Sequence, residues 1–144
     1  MGERKALGWA LAILLLTGGC AGLEPVSQKE MESHTYDGSY DMVFKAVVSV
    51  LEQKGHRITR ADKDQGLIDT EPVEFKYKRV RISAELKPVG KQRTEVRARI
   101  ELAERGLMGS TYKPEPAKMT MYDDLFTEIE LQVYREHFLK IERK

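Results

Sequence analysis

A single cysteine, Cys20, stands in the 144 residues, so no intramolecular disulfide can form and a hydrophobic core must supply stability unaided. The chain also lacks an excess of charge of either sign. Its 24 basic and 23 acidic side chains give a formal net charge of +1, and leaving out Glu3, Arg4 and Lys5 of the first segment leaves 22 of each. A neutral chain has no source for the counterion release that drives nonspecific nucleic-acid binding, so nucleic acid is not expected as a partner. Histidine is scarce: His34, His56 and His137 stand far apart, with no Cys or His at ligand spacing. Each reads as a surface side chain, and no metal is expected. The run Asp62-Lys63-Asp64-Gln65-Gly66 superficially resembles a calcium loop, but position twelve would be Val73 instead of Glu, and a tight turn accounts for its composition.

Catalytic constellations are missing as well. Ser83 and Ser110 lie outside any nucleophile-elbow context, and the adjacent carboxylates Asp123 and Asp124 open a helix, where the dipole accounts for them. Neither enzymatic activity nor a cofactor is expected. Finally, no apolar run reaches the roughly 20 residues that a membrane-spanning helix needs. The longest, Ala6 to Leu16, has eleven and is closed by Thr17-Gly18-Gly19.

That short run has the anatomy of a signal peptide: Arg4 and Lys5 before it, small residues after it. Leu16-Thr17-Gly18-Gly19-Cys20 resembles the lipobox of bacterial lipoproteins, with Gly18 and Gly19 in the two small-residue positions and Thr17 where Leu is usual. The resemblance implies cleavage between Gly19 and Cys20, a diacylglycerol on the Cys20 sulfur and a third acyl chain on the new amino group. Two or three chains hold durably where one binds reversibly, since each buried methylene contributes about 0.8 kcal/mol. The expected membrane partner is thus reached through the acyl chains of Cys20. Ala21 in the second mature position implies, by the same resemblance and for a two-membrane bacterium, an outer-membrane, periplasm-facing location.

The expected organisation is a signal peptide over 1–19, a flexible tether over 20–33 and one globular domain over 34–144; about 125 residues suffice for one modest core. Ala21 to Ser33 has no period and would span roughly 20 Å as a coil. Tyr40, Val43, Phe44, Val47, Val50 and Leu51 recur at helical steps between a Ser39 cap and a Gly55 stop, predicting a helix over 40–54. The segments 56–59 and 67–70 flank the Asp-Gly turn as a hairpin. Val80, Ile82, Ala84 and Leu86 alternate strictly, as do Val96, Ala98, Ile100 and Leu102, with Pro88 and Gly90 between them. Their register follows from charge: pairs summing to 182 set Lys87 against Glu95, Glu85 against Arg97 and Arg81 against Glu101, whereas a sum of 180 would oppose like charges. A bulge or turn is expected near Lys78-Arg79, because Phe75 and Tyr77 are out of phase with Val80.

Residues 105–118 hold two Gly and two Pro and read as a long loop. Thr120, with Asp123 as capping-box partner, is expected to open a second helix to about Arg143. Its apolar positions Tyr122, Leu125, Phe126, Ile129, Val133, Tyr134, Phe138 and Ile141 read as one broad stripe docking the C-terminus on the sheet. A short strand near His34 to Tyr36 could join the sheet edge.

The expected fold is therefore α+β: a single two-layer domain, an antiparallel sheet of four to five strands with two helices on one face. A helix, Gly55, then Ile58, Asp62, Gly66 and Ile68 at hairpin spacing resembles the small helix-grip modules of periplasmic lipoproteins such as the C component of the outer-membrane β-barrel assembly machinery. The resemblance, over residues 40–102, implies fold and transfers no functional residues.

Two surfaces are candidate contacts. Arg81, Arg97 and Arg99 on the outward sheet face could meet an anion, with a solvated face of cross-strand ion pairs as the alternative. Leu107, Met108, Tyr112 and Pro114 could form a partner-binding lip, with a solvated loop as the alternative. The function expected is a non-catalytic adaptor or accessory subunit in envelope assembly or maintenance, with an envelope protein as partner. The alternative is a module binding a small apolar or lipid-like ligand in a helix–sheet groove.

Overall fold

The computed structural model describes residues 32–106, 108, 109 and 111–143. The leader, the lipobox-like segment, Cys20 and nearly all of the tether lie outside the described residues, as do Leu107 and Ser110.

Within them the order is β1 (Ser33–Asp37), α1 (Tyr40–Gln53), β2 (Ile58–Asp62), β3 (Leu67–Thr70), β4 (Val73–Phe75), β5 (Lys78–Pro88), β6 (Arg93–Arg105), β7 (Tyr112–Glu115) and α2 (Met119–Glu142). All strands pair antiparallel in one seven-stranded sheet, with the two helices packed against it. The α+β architecture is the one the sequence predicts, with two or three more strands.

The long hairpin β5–β6 is the spine, and its register is the one that charge selects: Lys87 opposes Glu95, Glu85 opposes Arg97 and Arg81 opposes Glu101. The same pairing sets Leu86 against Val96, Ala84 against Ala98 and Ile82 against Ile100 on the buried side. Each spine strand carries two short strands in succession along its outer edge. β3 and then β4 line β5, while β1 and then β7 line β6.

Where β3 gives way to β4 the register slips by one residue at Glu71-Pro72, since proline cannot donate to the ladder. Buried Thr70 bridges the break: its hydroxyl accepts from the Ile82 N–H at 3.0 Å and donates to the Ile82 carbonyl at 2.9 Å. The interruption on the β6 edge is filled in the same manner, by the Tyr122 hydroxyl accepting from the Ile100 N–H at 3.1 Å. Both repairs come from side chains because a buried N–H without a partner costs about 1–3 kcal/mol.

In the β2–β3 turn the Asp62 carboxylate accepts the Gln65 N–H at 3.0 Å, which holds that carboxyl below its usual range. Gly66 follows with φ 72°, and any side chain there would run into the Leu86 carbonyl, so glycine is needed on both counts. The residues that resemble a calcium loop are thus committed to a turn.

Several sequence expectations are corrected. The turn expected near Lys78-Arg79 falls at Lys76-Tyr77, with Lys76 at φ 56°, because β4 and β5 close directly on the Phe75–Lys78 pair. Within the 105–118 segment, Tyr112–Glu115 is a strand on β6, opposing Pro114 to Ala103; proline is admissible because β7 is an edge strand. α2 starts at Met119, so Thr120 lies inside it, and Lys118 at the N-cap makes no side-chain cap bond. Ser39 does occupy the N-cap of α1, but its hydroxyl makes no cap bond either. Glu32 and Ser33, assigned to the tether, already belong to the sheet edge: the Ala98 N–H donates to the Glu32 carbonyl at 2.6 Å.

The core lies between this sheet and the helices. Val43, Val47 and Leu51 of α1 meet Leu125 and Ile129 of α2 over Ile68, Val96 and Ala98 of the sheet, each at most 2% exposed. Lys45–Glu136 and Lys54–Glu128, both at 2.8 Å, bind the helices to one another along their solvent edge.

Candidate functional site

The outward sheet face does bring Arg81, Arg97 and Arg99 together, but with company of opposite sign. Asp69, Glu85 and Glu101 line the same shallow depression, and Arg81 reaches Glu101 at 3.7 Å. Arg97 is opposed to Glu85 across the spine. Carboxylates interleaved among the guanidiniums lower the local positive potential on which anion binding depends. The face has the makings of a solvated patchwork of cross-strand pairs.

The four residues of the expected lip are separated. Leu107 lies outside the described residues, and Met108 stands fully exposed at the hairpin tip. Tyr112 and Pro114 are fixed in β7, where the Arg79 guanidinium covers the Tyr112 ring at 4.0 Å and Glu74 in turn holds Arg79 at 2.6 Å. That ion pair holds the Glu74 carboxyl below its usual range. Between β1 and β7, where β6 has no strand beside it among the described residues, a cleft of about 610 Å³ opens onto Pro114, Ala117 and Tyr122, with Arg79, Arg99 and Glu101 also lining it. The Tyr122 hydroxyl at its floor is already engaged with the backbone.

Histidines are placed singly. His34 stacks on Phe126 with ring centroids 5.7 Å apart, and His137 lines a groove at the far end of α2. His56 is half-buried, its Nδ1 has no hydrogen-bond partner among the described residues, and burial, aided by the Lys54 charge, pushes its pKa down. Among the described residues no three His, Cys, Asp or Glu side chains are grouped so as to hold a metal ion. Among the same residues no helix is long and apolar enough to cross a membrane.

The feature the sequence reading missed is the outer face of α2. Tyr122, Leu125, Phe126, Ile129 and Val133 of the expected stripe are buried, but Tyr134, Phe138 and Ile141 are 57%, 66% and 57% exposed. Leu131 joins them at 59%. At 100° per residue these four fall within an arc of about 80°, whose centre lies about 145° around the helix from the centre of the buried stripe. α2 is therefore apolar on two opposite sides. Both rows step by three and four residues, and the difference in phase around the helix is the signal that could have separated them. Beside this row a groove of about 750 Å³ runs between the end of α2 and the start of α1, lined on its apolar side by Met42, Val133, Tyr134 and Ile141.

No protein-family model matches the chain, and no curated protein is significantly similar to it.

Proposed function

We propose that the chain is a bacterial lipoprotein, held to the outer membrane by acyl chains on Cys20 and facing the periplasm. Its domain then works without catalysis as an adaptor or accessory subunit in envelope assembly or maintenance. The anchoring half of this reading rests on the leader, the lipobox-like Leu16-Thr17-Gly18-Gly19-Cys20 and the tether composition of Ala21 to Ser33. The adaptor half is carried by one observation: the space between helices and sheet is occupied by side chains at most 8% exposed, while α2 turns a row of apolar side chains outward. A filled interior favours contact through the surface over storage of a ligand inside.

The anchor is tested with Cys20→Ala in a bacterial host. The native chain is expected to incorporate radiolabelled palmitate and to sediment with outer membranes, and the variant to remain an uncleaved, unlabelled precursor; palmitate incorporation into the variant overturns the assignment. A small apolar ligand, the second reading, would have to use a surface opening, either the groove beside Met42 and Ile141 or the cleft onto Pro114, Ala117 and Tyr122, instead of the filled helix–sheet space. Purification of the native protein with a stoichiometric bound lipid would favour that reading over the adaptor.

A further inference from the structure

We infer that the outer face of α2 pairs with the same face of a second copy of this chain. The inference deepens the reading of that face as a contact surface and rests on it, but it does not require acylation of Cys20.

Leu131, Tyr134, Phe138 and Ile141 occupy alternating a and d positions of a heptad pattern, and all four are more than half exposed. The residues flanking such a row decide what it can meet. Glu130 and His137 lie on one flank, Arg135 and Glu142 on the other, and all four are exposed. When two such rows meet in parallel, Glu130 of one copy faces Arg135 of the other and His137 faces Glu142. When they meet antiparallel, Glu130 faces His137 and Arg135 faces Glu142. Either way no acid opposes an acid and no pair of bases is forced together, so the surface is complementary to itself.

A free peptide with a row this short would not associate, because its helix would first have to form. Here Leu125, Ile129 and Val133 on the inner face, with the Lys45–Glu136 ion pair one turn further on, already hold α2 beneath the first half of the row, so less of the helix has to be ordered on pairing. Four apolar side chains per copy place the contact at the small end of specific interfaces. The pair is therefore weak and depends on concentration, and it gains from any arrangement that holds copies at one surface.

Full-length chains carrying Leu131→Cys and Ile141→Cys, coexpressed and oxidised in membrane vesicles, test the pairing by mass spectrometry of disulfide-linked peptides. Links joining 131 to 131 and 141 to 141, or 131 to 141, are the expected results and also report orientation, since unlike positions lie about 15 Å apart along the axis in the parallel pair. Adding Phe138→Asp should lower the linked fraction by about tenfold or more, the loss that roughly 1.4 kcal/mol of contact gives. The 66% exposure of Phe138 should leave the melting temperature unchanged. Absence of self-links, with links only to Cys20 or to a different protein, overturns the pairing. Links to a different protein at these positions would keep the contact surface and give it another occupant, whereas no links at all would remove the surface too.

Discussion

α2 is apolar on two sides, and the two sides have opposite fates. The inner row, Tyr122 to Val133, is buried over β6 and α1, while the outer row, Leu131 to Ile141, meets solvent. Nothing in residue type separates them: Leu, Tyr, Phe and Ile or Val occur in both. What separates them is whether the sheet and α1 lie underneath, and they cover only the side of α2 that is turned toward them. Apolar content therefore reports burial only where the rest of the fold supplies a partner, and the remainder is surface left for another molecule.

Substitutions on the two sides should diverge. Leu125→Ala removes a side chain that is 2% exposed and should cost about 2–5 kcal/mol, read as a lowered denaturant midpoint. A cost under about 1 kcal/mol would mean that the inner row is not the core it is taken for. Tyr122→Phe keeps the ring but takes the hydroxyl from the Ile100 N–H, and Thr70→Val does the same at Ile82. Each should cost about 1–3 kcal/mol in the same assay, the penalty of a buried donor left without a partner. On the outer row, Phe138→Ser should change stability by no more than about 0.5 kcal/mol, because its ring is already in water. A loss as large as that of Leu125→Ala would erase the distinction between the faces.

The smallest effect is one of pH. Burial lowers the folded pKa of His56, so the unfolded chain binds a proton that the folded one resists. Its contribution is harmless above the unfolded value of about 6.5 and turns destabilising as pH falls from there toward the folded value. His56→Gln should flatten the fall of the melting temperature over that window, and an unchanged slope would show that the ring titrates alike in both states.

How much of this was legible follows the same logic of partners. Strict alternation in Val80 to Leu86 and Val96 to Leu102, with charges that tolerate one register only, made the spine readable to the residue. The Asp62 to Gly66 turn was readable because its chemistry is local. β7 was not: Pro114 and Pro116 write a loop, and only an open stretch of β6 edge turns Tyr112–Glu115 into a strand. The turn at Lys76 escaped because a non-glycine residue at φ 56° carries no compositional mark. Arg81, Arg97 and Arg99 were readable as a cluster, while the carboxylate of Asp69 that shares their depression comes from a different hairpin, whose placement beside β5 the alternation does not give. The outer row of α2 stayed hidden inside a single broad stripe until the sheet showed which side it covers.

The proposed membrane attachment depends on the fate of Cys20, and the intact mass of the protein recovered from the membranes of a bacterial host measures it directly. The expected species begins at Cys20 and carries the added mass of a diacylglycerol and an amide-linked acyl chain. A species that retains residues 1–19 and a free thiol in the soluble fraction would contradict it.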